Sequence, residues 1–355
     1  MRIVLSAVLA ASLCFQIQHN EGQSAGPTTD TTVKENDVPE AQNFNLPLKT
    51  TDLSQIWTDH VWREGFRIQK NALTGHWRLI DADNYRRAWG TKKQCVESLN
   101  EKCPLAAETS HQHHVVLLHG LMRTCGSMKS LEKKLEENGH SDSIRFSYAS
   151  TRGSIADHAA ALRELLESLP ERDTFSFVGH SMGNIVVRHT IGDLQSDGDP
   201  KQILPRSKTM VMLGPPNQGA MIAERLAPNK VFGWITGKGA MELGAQWEKL
   251  EPRLAVPPFP FHIIAGDVET PVSNPLVDGE GDFVVSLDEA RLDGAASFST
   301  VPVLHSFLMD DPATMEKTTE LLDQCPIRCP TANRLFINRR QSAARSGIPR
   351  VRFFE

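Results

Sequence analysis

The chain has 355 residues, of which 40% are hydrophobic and 23% charged, and a formal net charge of −5. That length and apolar content can build one large domain with appendages or two modest domains, and they exclude a chain that is disordered throughout. The charge is uneven: residues 330–355 carry six Arg against one Glu (net +5) and the remainder carries −10, so a nucleic-acid partner is not expected, although the basic tail could touch an anionic surface.

In chain order, Arg2 is followed by an apolar run to Phe15, the layout of a secretory signal. Residues 1–25 are read as that signal, with Ala25 a candidate cleavage position, and the expected location is secreted or periplasmic. The run is short for a bilayer span. Lipidation at Cys14 is the weaker alternative, because Leu13 is larger than the small residue usual before such a cysteine. Residues 26–53 form a flexible leader. Residues 54–110 hold four of the six Trp and alternate as in "FRIQKNALTGHWRLID", with Thr74-Gly75 as a turn, and are read as an N-terminal extension packed on the main domain.

Of the six cysteines, Cys14 leaves with the signal. In an oxidising compartment Cys95 with Cys103, and Cys325 with Cys329, are expected as local disulfides, the alternative being unpaired thiols. Cys125 is then the odd one, read as a buried structural thiol. The run "HQHH" at His111–His114 lacks Cys, Asp or Glu at ligand spacing, so it is read as an exposed lead-in to a strand and no metal is expected.

Residues 111–325 carry the regular pattern, and residues 326–355 form the basic C-terminal tail. "VVLLHG" (Val115 to Gly120) has the length of a fully buried strand, and Ser130 to Gly139 reads as a helix ended by Gly139. After the strand "IRFSYAS", Ser154 and Asp157 open a helix whose Ile155, Ala159, Leu162, Leu165, Leu166 and Leu169 share a face, ended by Pro170. Further strands are expected at "FSFV", "TMVML" (Thr209 to Leu213), "FHIIAG" (Phe261 to Gly266) and "TVPVL" (Thr300 to Leu304). Apolar strands alternating with amphipathic helices predict an α/β fold, a mostly parallel sheet with helices on both faces. No internal repeat is present.

The segment "TFSFVGHSMGNIVVRH" runs from a buried strand through Gly179-His180-Ser181-Met182-Gly183 into a helix with no turn sequence between. Gly-x-Ser-x-Gly at such a junction forces a tight turn that presents the serine at the sheet's carboxyl edge. Ser181 is therefore the candidate nucleophile; the alternative is a serine that only caps the next helix. A serine hydroxyl needs a base, oriented in turn by a carboxylate, in the chain order serine, acid, histidine. Beyond His189, within the following helix, only His262 and His305 remain. His262 lies inside an apolar strand and is read as a core residue. His305, on a loop before the helix starting near Pro312, is the candidate base. Asp282, opening "DFVVSLDEA", is the favoured acid over its rival Asp267, with Asp278 and Glu280 as solvated loop charges. The oxyanion donors are expected to be the backbone N–H groups of Met182 and Leu121, with Gly120 allowing close approach and His119 steadying the loop.

The motifs "LLHGL", "GHSMG", "LGPPNQGA", "GDFVVSLDEARL" and "HSFLMDDP" resemble the α/β-hydrolase superfamily and, within it, bacterial lipases and esterases. The resemblance covers roughly Val115 to Asp323 and implies hydrolysis of acyl esters, small-molecule or lipid, through an acyl-enzyme, with no cofactor. It also implies a cap insertion at about residues 215–258. There Met221, Ile222, Leu226, Val231, Phe232, Trp234 and Ile235 either shelter an acyl chain or touch a lipid surface, or pack as an ordinary helix. A thioesterase or acyltransferase could use the same residues. From another class, an inactive hydrolase-fold protein that binds lipid or a partner is the alternative.

Overall fold

The structure is a computed structural model whose description covers residues 48–50, 55–104, 111–226, 230–268 and 280–324. The N-terminal extension is larger than the single hairpin legible in sequence. β1 (Leu48–Lys49), β2 (Trp57–Arg63), β3 (Phe66–Asn71), β4 (Trp77–Ile80) and β5 (Tyr85–Gly90) form an antiparallel sheet in the order β1-β5-β4-β3-β2. The chain turns between β3 and β4 with Gly75 at φ 72°. α1 (Lys92–Lys102) starts at a capping box of Thr91 and Gln94 and covers this sheet, placing Cys95 and Leu99 against Ile68, Leu79 and Ala88.

The expected Cys95–Cys103 disulfide is not formed, and both residues are buried free thiols. They stand at opposite ends of α1, eight residues apart, or about 12 Å along a helix rising 1.5 Å per residue. A disulfide spans far less than that. The Cys103 thiol instead donates to Glu64 at 3.5 Å. Cys125 is also buried, while Cys325 and Cys329 lie outside the described residues.

The main sheet consists of β6 (His113–Leu118), β7 (Ser143–Phe146), β8 (Thr174–His180), β9 (Ser207–Leu213), β10 (Phe261–Gly266) and β11 (Ser297–Val301). These pair in the order β11-β10-β9-β8-β6-β7, all parallel. Successive side chains point to opposite faces. Val116 and Leu118 join Phe146, Phe177 and Met210 in one apolar cluster, while Val115 and Leu117 join Val178, Val211 and Ile264 in another. A strand covered on both sides needs no polar alternation, which is why its sequence is an unbroken apolar run.

Each face has its helices. α2 (Lys129–Glu137) sends Leu131 and Leu135 into the second cluster, whereas α3 (Ile155–Ser168) and α4 (Met182–Asp197) fill the first. The Ser154–Asp157 capping box forms at the start of α3. In the region expected as a cap, α5 (Met221–Leu226) places Ile222 and Ala223 in the first cluster, so these two are ordinary core packing. α6 (Lys230–Leu243) breaks at Gly237, whose Cβ, were there one, would lie 2.0 Å from Thr151 O. The side chains of Val231, Phe232, Trp234 and Ile235 lie outside the described residues. α7 (Pro312–Asp323) is capped by Asp311 and returns Leu321 and Leu322 to the second cluster.

Two further expectations are corrected. The last strand lies three residues earlier than "TVPVL" suggested, because Pro302 has no N–H to give the ladder and β11 ends at Val301. Nor is "HQHH" an exposed lead-in: His113 and His114 are the first residues of β6. His114 is fully buried, 3.1 Å from Asp173, and His113 hydrogen-bonds Thr174 and Ser176 on β8.

β2 attaches the N-terminal sheet to the main one. Asp59 N–H donates to Ser147 O at 2.8 Å, and Ser147 N–H returns to Asp59 Oδ2 at 2.7 Å. The other carboxylate oxygen accepts from Gln69 at 2.6 Å, and Gln69 accepts from Arg78 at 2.8 Å. Burial raises the Asp59 carboxyl above the usual carboxylate range, with Arg67 opposing. His60 of β2 and Lys92 of α1 both pair with Glu164 of α3.

Candidate active site

β8 runs into α4 with no loop, so the chain reverses at one residue. Ser181 does this at φ 53°, ψ −124°, a region that a residue with a side chain occupies only under strain. Its neighbours leave no room for larger residues. A Cβ on Gly179 would lie 2.3 Å from Asn184 Oδ1, and one on Gly183 would lie 2.8 Å from the carbonyl oxygens of both Leu118 and His119. Ser181 N–H donates to Leu213 O at the end of β9 (2.9 Å), and Asn184 Nδ2 donates to Ser181 O (3.0 Å). The Ser181 side chain does not cap α4 and is only half-buried. Among the described residues its hydroxyl makes no hydrogen bond.

Asp282 and His305 come together at the carboxyl end of the neighbouring strands. Asp282 is 1% exposed, and its Oδ2 accepts from His305 Nδ1 at 2.6 Å. Oδ1 accepts from the backbone N–H groups of Val284 (3.1 Å) and Val285 (2.8 Å) across a tight turn in which Phe283 has φ 75°. His305 N–H donates to Asp282 O at 3.1 Å, so the two residues are joined through both side chain and backbone. The pair lies against Gly214, directly after the Leu213 carbonyl that receives Ser181 N–H. A Cβ there would be 3.0 Å from His305 Nδ1 and 3.1 Å from Asp282 Oδ2. Among the described residues no hydrogen bond links Ser181 Oγ to His305; such contacts often tighten only with substrate in place. Asp267 donates its backbone N–H to Val301 O, and among the described residues no hydrogen bond joins its carboxylate to His305. Asp278 lies outside the described residues.

Met182 is the first residue of α4, where backbone N–H groups have no partner within the helix. Leu121, half-buried, follows Gly120 on the loop after β6 and packs against the same apolar cluster as Met182. That loop is fixed from three sides. The Tyr148 hydroxyl donates to His119 O, Arg123 Nη2 donates to Ser306 O (3.0 Å), and His119 Nδ1 donates to Gly120 O (2.9 Å). His119 stacks on Tyr148 with ring centroids 4.1 Å apart, and burial lowers its pKa to about 4. α6 passes close by, since a Cβ on Gly239 would lie 2.8 Å from Met182 Sδ.

The remaining histidines and the supporting residues fall as follows. His262 is buried and bonded to Ser297, and His189 pairs with Asp193 at 3.0 Å within α4. Tyr148, Asn184 and Arg123 had no sequence signal for their roles, because each reaches a backbone carbonyl set by the fold. His180 was visible inside "GHSMG", but the direction of its side chain depends on the turn. Among the described residues no group of three His, Cys, Asp or Glu side chains could hold a metal ion.

Residues 108–213 match the model of a family described as "Putative serine esterase (DUF676)". That segment runs from just before β6 to the end of β9 and contains the Gly120 loop and the Ser181 turn. Among solved structures, the mature lipase BlEst2 of Bacillus licheniformis is 16% identical with a TM-score of 0.45, over 62% of this chain and 95% of that one. The lin2722 gene product of Listeria innocua is 17% identical with a TM-score of 0.42, over 60% and 94%. The metagenomic carboxyl esterase MGS0156 is 19% identical with a TM-score of 0.39, over 56% and 65%. No curated protein matches the chain. The six-stranded parallel sheet, clad by helices on both faces and turning at a strained serine between β8 and α4, is the α/β-hydrolase fold expected from the sequence.

Proposed function

We propose that this α/β-hydrolase, related to serine esterases through residues 108–213, cleaves carboxylic esters through an acyl-enzyme on Ser181. With His305 Nδ1 donating to Asp282, Nε2 is the basic nitrogen. It takes the Ser181 proton as Oγ adds to the ester carbonyl, and the resulting oxyanion is held by the N–H groups of Met182 and Leu121. Collapse expels the alcohol, which takes the proton from His305 and leaves acyl-Ser181. Water then attacks by the same route, releasing the carboxylic acid and free serine.

The observation that carries this reading is the strained, uncapped Ser181. Strain of this size persists only where the surroundings over-determine it, and a serine that merely capped α4 would need none. Leu304 (40% exposed) and Phe307 (54% exposed) flank His305 and support substrates that bring an apolar acyl chain to this rim, including lipid esters.

Hydrolysis of p-nitrophenyl esters from acetate to palmitate, by the native chain and by Ser181→Ala, tests the proposal. The native chain is expected to turn over at least part of the series, with kcat on the order of 10⁶-fold lower in the variant. A native chain inert on every ester overturns it.

A further inference from the structure

His180 ends β8 immediately before the strained serine, and its side chain is 2% exposed. Nε2 donates to the main-chain carbonyl of His305 at 3.0 Å. Because a carbonyl only accepts, the proton sits on Nε2 and Nδ1 is bare. Among the described residues Nδ1 has no hydrogen-bond partner, and it faces Gly120, where a Cβ would come within 2.8 Å of it and 3.1 Å of Ser181 Cβ. The His180 and His305 ring centroids are 4.9 Å apart, tilted by 45°. One imidazole thus fills the space between the serine, the backbone of the base and the loop that carries Leu121.

We propose that His180 is a positioning residue, anchoring His305 and seating the Gly120 loop relative to Ser181. The proposal rests on the ester-hydrolase reading above. Its physical basis is where the anchors of His305 originate. Among the described residues the His305 side chain and its N–H both bond to Asp282, a residue on a loop. The neighbouring anchors, Val284 and Val285 N–H on Asp282 Oδ1 and Arg123 on Ser306 O, also come from loops, which can shift together with the pair as a unit. The His180 bond comes from a central strand of the sheet and fixes that unit to the strand that delivers the serine. A buried polar ring without such a bond would only cost stability.

Charge supports the same role. The groups facing His180 are His305, Arg123 and His119, and burial together with these neighbours holds its pKa well below the usual histidine value. His180 therefore stays neutral when His305 takes the serine proton, so the new imidazolium meets no second cation.

The test compares His180→Phe, which keeps ring volume without the donor, with His180→Gln, whose amide nitrogen can reach the position of Nε2. Both are assayed on the p-nitrophenyl ester the native chain turns over best, with kcat, KM, the pH profile of kcat and Tm measured. The Phe variant is expected to lose about 100-fold in kcat, the usual effect of an ångström of misplacement. Its KM and Tm should stay near native, and the Gln variant should recover most of the loss. If the Phe variant does not fold, His180→Asn, too short to reach His305 O, takes its place with the same expectation. Equal losses in the Gln and Phe (or Asn) variants, no loss in either, or a loss confined to KM would each overturn the positioning role. Those outcomes leave the hydrolase reading standing, whereas a native chain without turnover removes that reading and this one together.

Discussion

Two buried histidine–carboxylate pairs occupy opposite ends of the same parallel sheet. Where β6 and β8 begin, His114 Nε2 lies 3.1 Å from Asp173 Oδ2, with Trp62 edge-on to the imidazole and His114 Nδ1 buried with no hydrogen-bond partner among the described residues. Where β10 and β11 end, His305 Nδ1 lies 2.6 Å from Asp282 Oδ2, beside the strained serine and the start of α4. The pairs share residue types and burial but not surroundings. On the proposed reading only the second serves catalysis, so a histidine–aspartate contact alone is no sign of it. What distinguishes the second is the carboxyl edge of the sheet, where loops open and a helix N-terminus offers unpaired N–H donors.

The sharpest way to break this comparison is to make the same substitution in each pair. Asp282→Asn, which can no longer hold the His305 tautomer, should lower kcat by about 10⁴-fold with little change in Tm. Asp173→Asn should leave kcat at the native value. A comparable kinetic loss from both would mean that the two pairs are not functionally distinct.

An acid titration sharpens it next, because His119 and His158 are buried at the carboxyl edge with no carboxylate partner among their hydrogen bonds, one on each side of Tyr148. Burial lowers the pKa of each to about 4, from an ordinary value of 6.5. Above pH 6.5 they are neutral whether the chain is folded or not and leave stability unchanged. Between pH 6.5 and 4 only the unfolded chain takes up these protons, so stability falls as pH falls, by about 1.4 kcal/mol per pH unit for each histidine. Thermal melts from pH 7 to 4 read this directly, and His158→Phe should make the fall shallower. An unchanged slope in that variant would show that His158 is not one of the groups responsible.

The smallest expected effect is structural. Asp173→Ala leaves the His114 imidazole buried without its acceptor and should cost about 1–3 kcal/mol. For a domain of this size that is a Tm lower by roughly 2–4 °C per kcal/mol, with kcat unaffected. A stable variant would mean that the pair at the amino edge contributes little.

Local signals made much of the fold legible. "VVLL" announced a strand buried on both faces, Ser154 with Asp157 announced the start of α3, and glycines on either side of His180-Ser181-Met182 announced a turn too tight for side chains. Chain order also excluded His114 from the search for the base, since it precedes Ser181. What stayed illegible depended on long-range geometry. The partner that buries His114 lies 59 residues away, so "HQHH" read as exposed. What sets Asp282 against His305 is a turn with Phe283 at φ 75°, a conformation its residue type does not advertise. Cys95 and Cys103 looked pairable until a helix held them apart.

The central claim, that Ser181 is the nucleophile, is tested most directly by labelling the native chain with a fluorophosphonate and locating the adduct by peptide mass spectrometry. The account predicts a single modified peptide containing Ser181, absent in Ser181→Ala. Ester hydrolysis by the native chain with the adduct on a different residue, or with none, would contradict it.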